Sequence, residues 1–432
     1  MHDAEAPDTP PEKISEKISH DPYAVLRNRN FRLYLIGRFA ATVGQQMFIM
    51  AVGWEIYERT QSPLMLGYVG LTLVLPMIFF TLPAGHVADN YNRKRIIILT
   101  TLILSCANIG LGFVSAFLAP VFCIYLCLFI AGSARTFLWA ATASFLPQLV
   151  ERQHFPKAVN WTSSTFQLSS ILGPAMAGML IGHVHLAWPV YALNALAAAT
   201  CCLLVSRVRV HQVIALKEKM TLNALLTGFR FVFAKRIIFG IITLDMFAVL
   251  LGGATALLPI YAKEILHVGP SGLGLLQAAL PMGAILCSFY MAHRSPMQQA
   301  GRSLLLAVTT FGLATSGFGF SQWFWLSFAA MVVCGVSDNI SVIVRHTLVQ
   351  LLTPNEKRGR VSAVNNLFIG TSNELGEFES GTVAHLFGPA MGHTLATGAM
   401  VAVISGGVGT ILVVMAVALV WPEIRKYGRL DA

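Results

Sequence analysis

Charged residues are scarce in this sequence. Of its 432 residues, 12% are Asp, Glu, Lys or Arg, whereas soluble domains carry about a quarter. Hydrophobic residues make up 55% of the chain, and a soluble protein would need several very large cores to bury them. The shortage of charge and the excess of apolar residues together indicate an integral membrane protein.

The sequence also lacks the short motifs that identify common enzyme sites and ATP-driven machines. It contains neither HExxH nor GxSxG, and it has no Walker A sequence for nucleotide binding. Its seven cysteines all lie in apolar runs, where we expect packing residues rather than a metal or redox site. We therefore expect no enzyme, no cofactor and no bound metal, and we keep an integral membrane enzyme only as a remote alternative.

Long apolar segments, by contrast, are abundant. A helix needs roughly 20 residues to cross a bilayer, and twelve segments have about the required length. They are residues 31–57, 63–84, 96–118, 120–149, 159–181, 187–205, 237–261, 272–292, 304–320, 323–351, 362–387 and 395–420. The predicted fold class is an all-α integral membrane protein with twelve transmembrane helices.

The longest polar connection divides the chain near its middle. We predict a disordered cytoplasmic tail at 1–30, six-helix bundles at 31–206 and 237–421, a linker at 207–236 and a C-terminal tail at 422–432. Within the linker, apolar residues at helical spacing predict an amphipathic helix on the membrane surface, and the alternative is the start of the seventh span. These apolar residues are Leu222, Leu225, Leu226, Phe229, Val232 and Phe233.

Basic residues lie mainly on one side of the predicted spans. If the N-terminus is cytoplasmic, only Arg59 and Lys263 of the 30 lysines and arginines fall in connections on the outer side. Because basic residues favour the cytoplasmic side, we expect a multi-pass protein of a bacterial-type inner membrane with both termini in the cytoplasm. The net charge of +10 is then a topology signal, and we expect no nucleic-acid partner.

The two halves of the chain carry similar short segments 203 residues apart. Residues 173–178 of the fifth span correspond to 376–381 of the eleventh, and residues 132–135 correspond to 335–338. Many carriers are built from such internal repeats, with the binding site between the repeats near the middle of the membrane. We therefore predict two six-helix halves related by pseudo-two-fold symmetry around one central path.

Two segments resemble motifs of the major facilitator superfamily. Residues 85–95 (GHVADNYNRKR) resemble its motif A, and residues 173–178 (GPAMAG) resemble its motif C, which is associated with exporters. The tracts at 258–262, 266–270 and 359–365 are similar to the drug:proton antiporter branch, which contains the enterobactin and macrolide exporters. The chain departs from motif A where Asn replaces a usual basic residue at position 90 and a usual glycine at position 92.

The resemblance implies a secondary active transporter that exports a hydrophobic or amphipathic small molecule, such as a drug or siderophore, in exchange for protons. An uptake symporter or a lipid transporter on the same fold is the alternative. The implied partners are a small-molecule substrate, protons and the lipid bilayer, and we expect a monomer. The resemblance also assigns conformational gating to motif A, whose Asp89 would face the start of the eleventh helix. The residues so assigned are Gly85, Asp89, Arg93 and Lys94 of motif A, and Gly173, Pro174 and Gly178 of motif C.

Ionisable residues inside apolar spans cost roughly 2.5–3.5 kcal/mol each on insertion, so they are expected to be paired or functional. Eight such residues are present, and we predict that they line a central cavity and couple proton movement to transport. They are Arg38, Arg135, Asp245, Asp338, Arg345, Glu374, Glu377 and Glu379. The alternative is a set of structural ion pairs that hold helices together.

Among the buried acids, Asp245 is the preferred proton carrier in this prediction. Burial raises the pKa of a carboxylate and a nearby cation lowers it, a balance that proton coupling requires. Arg38 lies at a similar depth in the first span, so we expect it to face Asp245 from the other half. Trp139 lies deep enough in the fourth span to stack on an aromatic substrate.

Overall fold

The computed structural model describes residues 23–210, 229–293, 299–354 and 357–428. Within these ranges the regular secondary structure is helical, and twelve long helices account for most of it. They are α1 (Arg29–Thr60), α2 (Pro63–Asn90), α3 (Arg93–Ala116), α4 (Val121–Leu149), α5 (Phe155–Val184), α6 (Trp188–Ser206), α7 (Arg236–Leu251), α8 (Gly269–Ala292), α9 (Ala300–Phe320), α10 (Phe324–Leu352), α11 (Arg358–Leu386) and α12 (Leu395–Val420).

Eleven segments of the described chain are long and apolar enough to cross a membrane. One of them is the stretch Arg236–Ile265, in which α7 continues through short helical turns and ends in the π-helical turn Tyr261–Ile265. α11 is equally long, but its three glutamates make it more polar than the other helices. The predicted all-α membrane protein is confirmed, and its twelve predicted spans coincide with α1 to α12.

Most of the predicted linker helix lies outside the described residues, because the description stops at Val210 and resumes at Phe229. Residues 229–234 are helical and directly precede α7. Val232 is buried in a cluster with Ile238 and Ile242 of α7, whereas Phe233 is exposed. The described end of the linker therefore packs against α7 on one side.

Asn92 accounts for the tight turn between α2 and α3. Its side chain accepts a hydrogen bond of 3.1 Å from the backbone N–H of Arg95, and its own backbone is extended. An asparagine in this position satisfies one of the free N–H groups at the start of a helix. The asparagine that replaces the usual glycine is thus the N-cap of α3.

The helix contacts repeat between the two halves. In the first half, α1 packs on α5 and α6, α2 and α3 both pack on α4, and α3 also packs on α6. The second half repeats these contacts in helices numbered six higher: α7 packs on α11 and α12, α8 and α9 both pack on α10, and α9 also packs on α12. Two further contacts join the halves: α2 packs on α11, and α5 packs on α8. The pseudo-two-fold relation between the halves converts each of these contacts into the other. The arrangement is the pseudo-two-fold relation that the sequence repeats predict.

Successive helices run in opposite directions, which gives the bundle two distinct ends. The starts of the odd-numbered helices form the end that we call the terminal end, where Lys94 at the start of α3 reaches the carbonyl oxygens of Ser206 and Val208 after α6. The ends of the odd-numbered helices form the far end, where Arg59 of α1 donates to the carbonyl oxygen of Ala119.

The halves approach most closely through glycines near the far end. A Cβ atom on Gly178 of α5 would lie 2.5 Å from the carbonyl oxygen of Pro270 in α8, and one on Gly381 of α11 would lie 2.7 Å from that of Pro63 in α2. Real Cβ atoms do not approach so closely, so both positions require glycine. Toward the terminal end, a Cβ atom on Gly85 of α2 would have nothing within 4 Å. The halves are thus in close contact at the far end, whereas nothing packs against Gly85.

Candidate functional site

A cavity of about 680 Å³ lies between the two halves. Small-molecule sites commonly have volumes of roughly 300–1,000 Å³, so the cavity is large enough for a ligand of drug size. Side chains from both halves line it, and its wall combines charged, amide and aromatic groups. The polar lining includes Arg38, Gln45, Asn108, Arg135, Glu374 and Glu377.

An ion pair crosses the cavity between the halves. Arg135 of α4 and Glu374 of α11 approach to 2.9 Å, and their side chains are 35% and 14% exposed. Glu377 lies one turn further along α11 and also lines the cavity, but no cation lies within ion-pair distance of it among the described residues. When ionised, Glu374, Glu377 and Arg135 together carry one net negative charge; Arg38, the second cation of the cavity, makes no ion pair with either acid.

A glycine on α2 makes room for these acids. A Cβ atom on Gly70 would collide with the backbone carbonyl oxygen of Glu374 and would lie 2.8 Å from the Cβ atom of Glu377. The close packing of α2 on α11 therefore holds both glutamates at the boundary between the halves, and a larger residue at Gly70 would push α11 away.

Asp245 and Arg345 form a second ion pair, which lies inside the second half. The pair joins α7 to α10, and the two side chains are only 9% and 3% exposed. Neither residue belongs to the lining of the central cavity. The partner of Asp245 is therefore Arg345 of the same half and not Arg38 of the other half. This geometry matches the alternative of a structural ion pair.

The other ionisable residues of the predicted set have different surroundings. Arg38 lines the cavity, and no carboxylate lies within ion-pair distance of it in the described part of the chain. Glu379 is off the cavity and its carboxylate is 3.4 Å from the hydroxyl of Ser380. Asp338 is likewise off the cavity and makes no ion pair among the described residues. Of the eight predicted residues, the cavity thus brings together Arg38, Arg135, Glu374 and Glu377.

The motif A residues lie at the terminal end of the first half. Lys94 donates to two carbonyl oxygens at the end of α6, and Arg93 donates from Nε to the carbonyl oxygen of Ala88 at 3.0 Å. Both basic residues therefore hold parts of the first half together. The Asp89 carboxylate makes no ion pair or hydrogen bond that involves the described residues, and Gly85 faces open space.

The motif C residues pack α5 against two neighbours. A Cβ atom on Gly173 would lie 2.9 Å from the carbonyl oxygen of Val43 in α1, and one on Gly274 of α8 would collide with the carbonyl oxygen of Pro174. With Gly178 against Pro270, the motif fits α5 closely to both its own half and the other half. Pro174 also lines the cavity.

Polar contacts join the halves at the far end, and the sequence interpretation missed them. The hydroxyl of Tyr57 donates to Oε1 of Glu264 at 3.0 Å, and Nζ of Lys263 lies 2.9 Å from Oε2 of Glu58. The two contacts, which we call the far-end contacts, link the end of α1 to the end of the α7 span. A signal was present, since Lys263 is one of only two basic residues on the expected outer side and an acid, Glu264, follows it directly.

Comparisons with known proteins agree with this architecture. A family model described as transmembrane secretion effector matches residues 20–419. The enterobactin exporter EntS of Escherichia coli O1:K1 / APEC is 27% identical over 403 residues, covering 92% of this chain and 93% of that protein. The enterobactin exporter EntS of Citrobacter koseri is 28% identical over 405 residues with the same coverage.

Solved transporter structures have the same fold. An inward-facing, unoccupied bacterial homologue of the human lysosomal transporter Spinster superposes with a TM-score of 0.69 at 15% identity, covering 94% of this chain and 97% of that one. The nucleoside transporter NupG superposes with a TM-score of 0.69 at 16% identity, covering 92% and 99%. At such low identity the likeness concerns the fold alone, and it confirms the predicted twelve-helix architecture.

Proposed function

The chain belongs to the transmembrane secretion effector family of the major facilitator superfamily, whose members are transporters rather than enzymes, and we propose on that premise that it exports an amphipathic small molecule in exchange for protons. The proposed substrate class is that of drugs and siderophores, because the similar exporters are named for the siderophore enterobactin. The substrate occupies the central cavity, and the protein works as a monomer in the inner membrane.

The observation that carries the proposal is the charged cluster of Arg135, Glu374 and Glu377. It lies in the cavity, it crosses the boundary between the halves, and it holds one acid more than it holds cations. A group that takes up a proton and also joins the moving halves can make their separation depend on proton binding. Asp245 lacks both properties, since it is paired within one half and lies off the cavity. We therefore assign proton coupling to Glu374 and Glu377.

The two ends of the molecule act as alternating gates in this proposal. The basic residues of the sequence favour a cytoplasmic location for the terminal end, and in this proposal the described state is open to the cytoplasm and closed by the far-end contacts. Opening to the outside requires the Tyr57–Glu264 and Glu58–Lys263 contacts to break. Asp89 would then meet the start of α11 and close the cytoplasmic side, because a carboxylate is favourable at the N-terminus of a helix.

The experiment that tests the proposal is transport in proteoliposomes with an imposed pH gradient. Enterobactin serves as the probe, and Glu377→Gln is compared with wild type for gradient-driven movement and for exchange without a gradient. We expect the variant to lose the gradient-driven movement and to keep the exchange, because glutamine fills the same volume without titrating. Glu379→Gln, on the same helix but off the cavity, is the matched control and should behave as wild type.

Two results would contradict the proposal. Full gradient-driven movement in Glu377→Gln and in Glu374→Gln would remove both acids from proton coupling. Movement of the probe into the cytoplasm rather than out of it, compared in inverted and right-side-out vesicles, would replace export by uptake.

A further inference from the structure

A side pocket of about 190 Å³ lies next to the central cavity in the first half, between α1, α4 and α5. It shares four lining side chains with the central cavity, which are Arg38, Thr42, Trp139 and Phe166. The rest of its lining is Tyr34, Thr142, Ala143, Leu146, Thr162 and Thr165. A cavity of roughly 150 Å³ holds one benzene ring, so the side pocket is large enough for one aromatic ring of a ligand.

Arg38 is the only charged residue among the described residues that line the side pocket. Its guanidinium group makes no hydrogen bond or ion pair with a described residue, and its nitrogens are not among the unpaired atoms that packing closes to solvent. The acids Glu374 and Glu377 line the central cavity but not the side pocket, and neither is within ion-pair distance of Arg38. Cations inside membrane spans are costly and are usually paired, so an accessible cation without a partner indicates a site for an anionic ligand.

The side pocket lies between the terminal end and the deeper part of the central cavity. Tyr34 is five residues after the start of α1, Leu146 is three residues before the end of α4, and Thr162 is seven residues after the start of α5. At 1.5 Å per residue, all three lie within roughly 11 Å of the helix ends. The central cavity extends to Ile49, which is twenty residues after the start of α1. A ligand that enters from the terminal end therefore meets the side pocket first.

The chemistry of the lining favours an aromatic anion. A planar guanidinium group binds a carboxylate, or a similar anionic oxygen group, through two parallel hydrogen bonds. Trp139 and Phe166, 56% and 55% exposed, border both cavities and provide aromatic surface for a ring. We propose that the side pocket is an anion-selective subsite, in which Arg38 binds an anionic oxygen group on an aromatic ring of the transported molecule. The inference rests on the proposed function, for which it narrows the substrate class to anionic aromatic amphipaths.

A matched pair of probes tests the charge selectivity in purified protein. The probes are biphenyl-4-carboxylate and biphenyl-4-carboxamide, which differ in charge but hardly in shape, and calorimetry measures their binding in detergent without a proton gradient. We expect wild type to bind the carboxylate at least about tenfold more tightly, and Arg38→Gln to reduce this preference below about twofold, because charge-assisted hydrogen bonds are the stronger ones. Arg32→Gln, at an exposed arginine of the same helix outside both cavities, is the control and should keep the preference.

A second variant distinguishes the side pocket from the central cavity, since Arg38 borders both. Ala143 lines the side pocket but not the central cavity. Ala143→Phe should fill the pocket and weaken carboxylate binding at least about tenfold although Arg38 is still present, because a packed cavity does not accept extra volume. Ala143→Ser adds a single heavy atom and should bind the carboxylate as wild type does. An unchanged affinity in Ala143→Phe would place the anion in the central cavity and overturn the proposal.

A readout of folding separates ligand binding from a structural role of Arg38. Arg38→Gln should melt near the wild-type temperature without ligand, because it loses no partner within the described chain, and the carboxylate should raise the melting temperature of wild type alone. If Arg38→Gln does not fold, Ala143→Phe still decides the question. Equal binding of the two probes by wild type, or no binding of the carboxylate at millimolar concentration, would overturn the inference. Full gradient-driven movement in Glu374→Gln and Glu377→Gln, alongside an intact carboxylate preference, would refute the proposed function alone.

Discussion

The Asp245–Arg345 pair allows a quantitative prediction about stability. Asp245→Asn removes the negative charge and leaves the Arg345 guanidinium, whose side chain is 3% exposed, buried without a counter-charge. Breaking a buried ion pair in this way costs about 3–5 kcal/mol. We therefore expect the free energy of unfolding to fall by that amount, which is roughly a hundredfold to a few thousandfold in the unfolding constant.

The removal of both charges should have a much smaller effect. A buried ion pair can often be replaced by apolar residues at little or no net cost, because its attraction is offset by the loss of hydration. The double variant Asp245→Leu, Arg345→Met should accordingly lie within about 1 kcal/mol of wild type, well above the single variants Asp245→Asn and Arg345→Met. Detergent-induced unfolding in mixed micelles, followed by circular dichroism, measures all four proteins.

An exposed ion pair in the same half is the control. Arg236 and Glu423 lie 3.7 Å apart with 70% and 41% of their side chains exposed, so Glu423→Gln should cost less than about 1 kcal/mol. The structural assignment is refuted if Asp245→Asn unfolds like wild type and at the same time loses pH-driven transport. That outcome would make Asp245 the proton carrier, as the sequence alone indicates.

Three further predictions concern topology and gating. In a variant without native cysteines, a cysteine at His393, at the far end, should react in intact cells with an impermeant thiol reagent. A cysteine at Glu151, at the terminal end, should not react, and the reverse pattern would invert the proposed orientation. The double variant Tyr57→Phe, Lys263→Gln loses both far-end contacts, so the reactivity of a cysteine placed in the cavity toward the same reagent should rise severalfold. Unchanged reactivity would exclude the far-end contacts as a gate. Asp89→Asn should increase cytoplasmic accessibility and slow turnover, since the outward-open state loses its contact with α11; normal values of both would remove this role.

The helices could be predicted from the sequence because each span is a local signal. Apolar length, the basic residues that flank it and the short turns between spans all lie close together in the chain. The end of the seventh span was harder to predict from the sequence, because the π-helical turn Tyr261–Ile265 carries the charged residues Lys263 and Glu264 although the chain is still helical there. Charges near a span end read as the beginning of a loop, and the far-end contacts were missed for this reason.

The pairing of charged residues could not be predicted, since it depends on the rotation of each helix and on its neighbours. Depth alone suggests Arg38 as the partner of Asp245, for both lie well inside their spans. In the structure Asp245 instead pairs with Arg345 of α10, in the same half.

The repeat also explains why the proposed coupling site occurs once rather than twice. At the offset of 203 residues, Arg135 corresponds to Asp338 and Glu374 corresponds to Ile171, so the second copy of the cross-half pair would join an acid to an apolar side chain. The fold is thus repeated whereas this chemistry is not. Proton binding can then change the attraction between α4 and α11 without an equal change between α10 and α5. Such an imbalance favours relative rotation of the halves, which is the movement that alternating access requires.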